Sequence, residues 1–401
     1  MSFIQAALIA GQLWLGEVTR PRPHKVTFEE FKGSNEPSEI RPPAYIGGTV
    51  EVTPQRIWYG DFSARAVERD SHWTDYLWAG ALAFLLDTIT VAYRYYIGET
   101  FILCWGPDAH VELIKVNERP VFRVTPGTDN AGGGGLIDDP QAWGGDQPPG
   151  EGGEYAHFDV TRGNYTDHTN SYLESLLSTA PNKTPSLQGI SLLVKYGRTG
   201  FTESGYFAAG GVGVNPRFKE WKVTLRRQPD NLATGFHQLG RHMNAVEVIY
   251  EWSTSFEYGA ACPVEELNLD SWRECAETLY NEYQDGASAG AWSGKIETST
   301  HPQEVVQNVL QQIDGILDPS PSLGLTMRLI RRDYSFGSLR TLNLDNVTSV
   351  ERFTPGTYED TVNKVIVPYH DIENNSALRP GLYIDPANQQ IQSGRIVPQT
   401  N

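Results

Sequence analysis

Asn244-Ala-Val-Glu-Val-Ile-Tyr-Glu-Trp252 opens the stretch of this chain whose reading decides the fold. Asn244 can cap a helix while Glu247, three residues on, reaches back to it. Val248, Ile249 and Trp252 give that helix a partly apolar face. A Tyr258-Gly259 loop and an acidic spacer follow. Ser271 with Glu274 reads as a second capping box, over a helix Ser271–Tyr283. Its Trp272, Cys275, Ala276 and Leu279 recur at i, i+3, i+4 and i+7. Thr300 with Gln303, and Pro302 in the first turn, opens a third helix through Gln303–Ile316, for which Gly315 offers a stop. Its stripe is Val305, Val306, Val309, Leu310 and Ile313. Leu325, Met327 and Leu329 then alternate with Thr326, Arg328 and Ile330 as a half-buried strand. Val362–Tyr369 is another strand, which Pro368 marks as an edge. Asn374–Asn401 reads as polar and irregular. No catalytic constellation falls anywhere in this stretch.

Upstream the pattern is of strands. Pro42–Trp58 is strand-rich, and Val91–Trp105 and His110–Val124 read as two paired strands across a Gly106-Pro107-Asp108 turn. Thr125–Gly153, with Gly132–Gly135 and Pro148–Gly153, reads as a long polar surface excursion. No GKS or GKT follows these glycines, and Asp138, Asp139 and Asp146 would repel an anion, so they do not make a phosphate cradle. Ser171–Leu177 is a short helix. Ile190–Lys195 and Trp221–Arg226 are strands, the latter with Trp221, Val223 and Leu225 on one side. Tyr206–Phe218, with Gly210, Gly211 and Gly213, suggests a bent path, and Asn215-Pro216 turns it back.

A chain of 401 residues can bury more than one core. Its 20% charged residues and mean hydropathy of -0.40 suit an ordinary soluble protein. Gly 39 and Pro 25 favour a loop-rich, β-dominated architecture, and Tyr 19 and Trp 10 suit pleated surfaces and interfaces. The net charge of -17 argues against a sequence-independent grip on nucleic acid, which needs Lys and Arg. Asn244–Ile330 carries a net -11 and the preceding Ser186–His242 a net +5. Such a step in charge could set register between neighbouring subunits or mark two solvated surfaces. Cys104, Cys262 and Cys275 are scattered without a CxxC, which makes them buried thiols rather than a disulfide or metal framework. Met1–Gly16 is apolar but lacks the positive region and cleavage pattern of a signal peptide. Leu77–Ile97 is the most hydrophobic window, yet Asp87 and Arg94 within it argue against a membrane span. It reads as a small-residue helix or loop, Ala79–Leu86, feeding a strand Thr88–Tyr96.

The ordered series resembles the lambda-type tail tip attachment protein J family and its relatives in gene transfer agents. The residues that carry it begin with Asn244–Trp252, Tyr258-Gly259 and Leu267-Asn-Leu-Asp-Ser-Trp272. They continue with the Gln303–Gly315 helix, the Gly324–Arg331 strand, and Val350-Glu-Arg-Phe353 running to Thr361–Tyr369. Upstream, Thr88–Gly106 and Asn215-Pro-Arg-Phe-Lys-Glu-Trp-Lys-Val223 resemble the family's first hub region. The match touches most of the chain between Tyr45 and Asp371. The resemblance implies a hub that closes a phage tail tube as a homotrimer. Its β-barrel-like domains would make a pseudo-sixfold ring beneath a hexameric distal tail protein. The tape-measure protein and other tail tip or fibre proteins would be partners, and DNA would pass during host entry. Three copies would triple the formal charge, and an acidic channel wall repels phosphate. Family members usually continue into receptor-binding regions beyond the point matched by Asn401. Either separate fibres serve that role here or this is the hub part of a longer product.

The expected fold is therefore α+β, β-rich and multidomain, with tail-tube-like barrel domains and smaller mixed domains. The expected divisions are an arm at 1–41, a first hub β domain of 42–124 with 186–243, and a loop-rich insertion at 125–185. A mixed α+β domain at 244–341 and a second β domain with the tail at 342–401 complete them. No catalytic, cofactor-binding or metal residue is assigned, no cofactor is implied, and the expected location is the distal tail of a virion. Pairs such as Glu265/Glu266 or Asp138/Asp139 could serve a glycan hydrolase, but adjacent loop carboxylates are more often solvated. His237 and His242 lack a third nearby ligand for zinc. The rival binding role is a carbohydrate-binding adhesin built on the aromatic Tyr155–Tyr172 segment.

Overall fold

The computed structural model describes residues 25, 27–34, 41–70, 88–124, 134–139, 155–163, 170–177, 189–197, 211–213, 218–320 and 322–331. It also describes 335, 337, 339–343, 346–349, 352, 362–371, 377–391 and 398–400. The protein is α+β, β-rich and multidomain. Two compact units divide the chain, one up to Ile330 and one from Arg331 to Asn401. The expected Ala79–Leu86 element lies outside the described residues. Among the described residues no helix is long and apolar enough to cross a membrane.

In the first unit, α1 (Phe28–Ser34) precedes the strands β1 (Ala44–Val52), β2 (Gln55–Asp70), β3 (Thr88–Trp105), β4 (His110–Val116) and β5 (Arg119–Arg123). Then come β6 (Gly134–Asp138), β7 (Tyr155–Thr161), α2 (Ser171–Leu177), β8 (Ile190–Lys195), β9 (Gly211–Gly213) and β10 (Trp221–Arg227). They share one curled sheet in the order β5-β4-β10-β1-β3-β8-β7-β6, with β2 and β9 branching from β3. The sheet nearly closes on itself. Phe122 of β5 meets Phe158 of β7 edge to face, with ring centroids 4.9 Å apart. Arg119 of β5 reaches Asp139, just past β6, at 2.5 Å. The enclosed core includes Ile46, Phe101, Leu103, Ile114, Phe158, Leu193, Trp221, Val223 and Leu225. These are the apolar members of alternating strands, as the period-2 reading requires.

Two readings of this part are corrected. The strands before and after Gly106-Pro107-Asp108 do not pair. Asp108, at φ 64, and Gly106, at φ 94, carry the chain away from β3, so β4 pairs with β10 and β5 instead. Gly134 and Gly135 belong to β6, paired with β7, rather than to a surface excursion. Gly135 tolerates no side chain there, because a Cβ would stand 2.7 Å from Phe122 and 3.0 Å from Phe158.

The rest of the unit is a helical layer: β11 (Gln238–Leu239), β12 (His242–Asn244), α3 (Ala245–Thr254), a 3-10 turn (Val264–Glu266) and α4 (Leu269–Gln284). After these come β13 (Ala291–Trp292), β14 (Gly294–Glu297), α5 (Pro302–Ile313), β15 (Gly315–Ser320) and β16 (Gly324–Leu329). Trp252, Trp272, Leu279, Val305, Val309, Ile313 and Met327 fill its core. The three expected helices exist, but their caps differ. Asn244 does cap α3, its side chain accepting from Val246 N, yet Glu247 turns to the preceding loop instead of back to the cap. Leu269–Gln284 begins after Asn268, and Ser271 bonds the Asn268 carbonyl and receives Met327 N. His301, not Thr300, caps α5, which stops at Ile313 where Asp314 turns left-handed at φ 51. The residues Gly315 and Ile316, read as helix, begin a strand antiparallel to β16.

The second unit holds β17 (Lys364–Asp371), β18 (Ala377–Ile384), α6 (Pro386–Ile391) and β19 (Pro398–Thr400). The supposedly irregular tail therefore supplies two strands and a short helix, whose first turn starts where Asp385 accepts from Ala387 N. β17 is central rather than an edge, but β19 pairs only with Lys364–Ile366. Pro368 sits beyond that, opposite Pro380, where no ladder donor is required on its second side.

Candidate functional site

The centre of the first unit is a buried charged joint between sheet and helical layer. Strand alternation sends Ile46 into the barrel core and the adjacent Tyr45 into the helical core. β1 can serve both layers because its first half pairs with β14 and its second half with β10. The change of partner falls at Gly47-Gly48, where Gly48 has φ 68 and backbone and side chain of Trp292 and Ser293 crowd in. Arg227, the last residue of β10, continues the Trp221, Val223, Leu225 face and is fully buried. Its Nη1 donates to Glu251 Oε2 at 2.9 Å and its Nη2 to Glu251 Oε1 at 2.6 Å. Nη1 also donates to Ile46 O and Nε to Pro107 O, both at 3.0 Å. Tyr45 OH donates to Glu251 Oε2 at 2.7 Å. Burial opposes the Arg227 charge, and the Glu251 carboxylate more than offsets it, so Arg227 stays cationic. Burial, then Glu251, pushes the Tyr45 phenol well above its ordinary range.

A second buried cluster crosses the barrel wall. Glu99 accepts from Lys195 Nζ at 3.1 Å and from Arg56 Nε at 2.7 Å. Burial raises the Glu99 pKa, but the two cations outweigh it and hold the carboxyl below its usual range. Other cations of the positive Ser186–His242 segment are also consumed within the chain. Lys222 pairs with Glu118, Arg226 and Arg241 both pair with Glu112, and Arg227 pairs with Glu251. The helical layer is different. Its Glu265, Glu266, Glu274, Glu277 and Glu304 are exposed on the surface.

Glu247 is a buried carboxyl on the first turn of α3. It accepts from Asn231 N at 3.1 Å and Leu232 N at 3.4 Å. Burial pushes its pKa up to about 8, partly offset by the Leu232 amide and reinforced by Asp230. Asp230 itself accepts from Thr234 N and Gly235 N and lies 3.4 Å from His237 Nδ1.

The residues singled out in the sequence are not gathered into one site. Glu265 and Glu266 are exposed on the 3-10 turn, Asp139 is occupied by Arg119, and Asp138 is a β6 residue paired with Tyr155. His237 faces Asp230, whereas His242 Nδ1 lies 2.8 Å from Ser293 Oγ. Among the described residues no group of three or more His, Cys, Asp or Glu is arranged to hold a metal ion. Two aromatic residues of the segment proposed for sugars face inward. Phe158 is buried, and Tyr172 stacks on Tyr196 at 4.4 Å with both rings buried. Cys104 and Cys275 are buried, and Cys262 is half-buried. Sequence reasoning passed over Tyr45, Arg227 and Glu251. One signal was available, since Arg227 falls at i+2 from Leu225 on an otherwise apolar strand face.

No family model and no curated protein matches the chain. Among solved structures, a chain described as "Virion of native gene transfer agent (GTA) particle" aligns with a TM-score of 0.40 and 11% identity. That alignment covers 91% of this chain and 69% of that one.

Proposed function

We propose that this protein is a structural hub at the tip of a phage-like tail, assembling as a homotrimer beneath a distal tail protein ring. It acts as a scaffold rather than a catalyst, closing the tube and linking it to tip fibres, with DNA passing through during host entry. The ordered motif series from Tyr45 to Asp371 supports the reading. The observation that carries it is the way one strand, β1, ties a nearly closed barrel to a helical layer through the Arg227–Glu251 pair. The pair ties the two layers of one subunit together, and Arg227 with Glu251, like Lys195 with Glu99, is spent within the chain rather than aimed at a ligand. Two aromatic residues of the segment on which the adhesin alternative rests, Phe158 and Tyr172, are buried, which counts against it. Light scattering of the purified chain tests the proposal. A mass of three times 44.6 kDa is the expected result. A monomer that stays monomeric with a distal tail protein ring added, and does not bind that ring, overturns it.

A further inference from the structure

We infer that one face of the β17–β18 sheet is the surface through which copies of this chain associate. The two strands run antiparallel through consecutive pairs from Lys364↔Ile384 to Asp371↔Ala377, without a shift of register. Directly opposed residues share a face, and the faces alternate along each strand. Ile366, Pro368, Leu378, Pro380, Leu382 and Ile384 therefore stand on one face, with the Lys364 and His370 positions at its two ends. Leu378 is 65% exposed, Leu382 59% and Ile384 41%. Among the described residues, no apolar side chain of the second unit is buried, whereas the first unit encloses its own cores. A three-stranded sheet this bare gains little from folding until something covers it. Exposed apolar residues are ordinary singly, but here the register gathers them on one face.

The edges of this sheet do not invite a partner. Pro368 and Pro380 are opposite each other and neither can donate, so they form a non-hydrogen-bonded pair whose main-chain groups point outward. Pro380 thus interrupts the outer edge of β18. Pro368 interrupts the β17 edge beyond β19, which pairs only with Lys364–Ile366. Proline placed this way blunts strand addition, and docking is left to the face. Charge then points to a second copy as the occupant. Residues 331–401 hold seven Lys or Arg and eight Asp or Glu, a net -1. The remaining -16 of the chain's -17 lies in residues 1–330, so the self-repulsion of copies resides in the first unit. Nucleic acid and anionic lipid need a surplus of Lys and Arg, which the second unit lacks. A near-neutral aliphatic face is complementary to itself, and two such sheets pack face to face at about 10 Å. The inference rests on the association of copies in the proposed function, and not on its placement at a tail tip.

The test reads the solution mass of the full chain and of its variants at one matched concentration. Leu378→Ser with Leu382→Ser should reduce the assembly to the 44.6 kDa monomer. Tyr383→Ser, 67% exposed on the opposite face of the same strand, should leave the mass of the parent unchanged. Cross-linking with a short bis-maleimide gives a readout that survives any loss of fold in the serine variant. Leu382→Cys should form covalent multimers well above the level that the parent's own thiols give, and Tyr383→Cys should not. A monomeric parent overturns the inference, as does an assembly that keeps its mass in the Leu378/Leu382 variant. So does cross-linking at Tyr383→Cys without cross-linking at Leu382→Cys. An assembly that persists without this face leaves the tail-tip reading standing. A dimer joined at Leu382 keeps the inference and strikes the homotrimer.

Discussion

Arg227 and Glu251 face each other in two parallel hydrogen bonds, 2.6 and 2.9 Å long, with the guanidinium fully buried between barrel and helical layer. A bidentate pair this dry is costly to break, because the surviving partner keeps its charge without water or counterion. Arg227→Met should destabilise the first unit by about 3–5 kcal/mol, and Glu251→Leu by a similar amount. The double replacement should recover much of that loss, since no buried charge remains. Urea unfolding followed by tryptophan fluorescence reads all three. Two losses that simply add would mean the pair is not a coupled joint.

Glu247 makes stability depend on pH in a direction opposite to most carboxylates. Its pKa in the folded chain is about 8, raised from 4.5 chiefly by burial. The folded state therefore holds a proton that the unfolded state releases. Its stabilising contribution is full below pH 4.5, declines as pH rises, and is gone above about 8, by at most ~1.4 kcal/mol per pH unit. Glu247→Gln keeps a neutral side chain at every pH. The stability difference between variant and parent should shift steadily in the variant's favour from pH 5 to pH 8. A difference that is flat with pH would show that the carboxyl is ionised throughout.

Gly48 is a hinge of necessity in β1. With φ 68, and an added Cβ only 2.2 Å from Ser293 Oγ and 2.5 Å from Trp292 O, the position offers no room and no conformational licence. Gly48→Ala should cost about 2–4 kcal/mol, the range for a strained backbone combined with overpacking. Gly235 is a useful contrast, with φ 74 but nothing within 4 Å of its Cβ position. Gly235→Ala should cost about 1 kcal/mol, from conformation alone. Thermal melts of the two variants separate crowding from backbone strain.

Local grammar made the helices, the helical stripes and most barrel strands legible, because each depends on spacing within a dozen residues. Trp272, Cys275, Ala276 and Leu279 are buried on α4 as their periodicity implies, and Trp221, Val223 and Leu225 on β10. Caps failed where tertiary partners outbid the local one. Glu247 found the amides of Asn231 and Leu232, and Ser271 found Met327. Pairing failed at Gly106, since the choice between a hairpin and a crossing is made by where β10 lies. The joint itself was illegible for the same reason, with Tyr45 lying far from Glu251 in sequence and against it in space.

Thiol reactivity checks the burial of both cores of the first unit. Burial first of all lifts the Cys104 pKa to about 11, so almost no thiolate exists there near neutrality. Cys275 is buried, with its Sγ 3.5 Å from Met327 O. Cys262 is half-buried on the loop after α3, and burial, then the nearby Glu266 carboxylate, raises its pKa as well. A disulfide reagent at pH 8 should therefore modify one thiol of the native chain slowly, and all three in denaturant. Glu266→Gln should speed the native reaction by removing a charge that disfavours the thiolate. Rapid modification of more than one native thiol would contradict the burial of Cys104 and Cys275. An unchanged rate in the variant would mean that Glu266 lies too far from Cys262 to govern it.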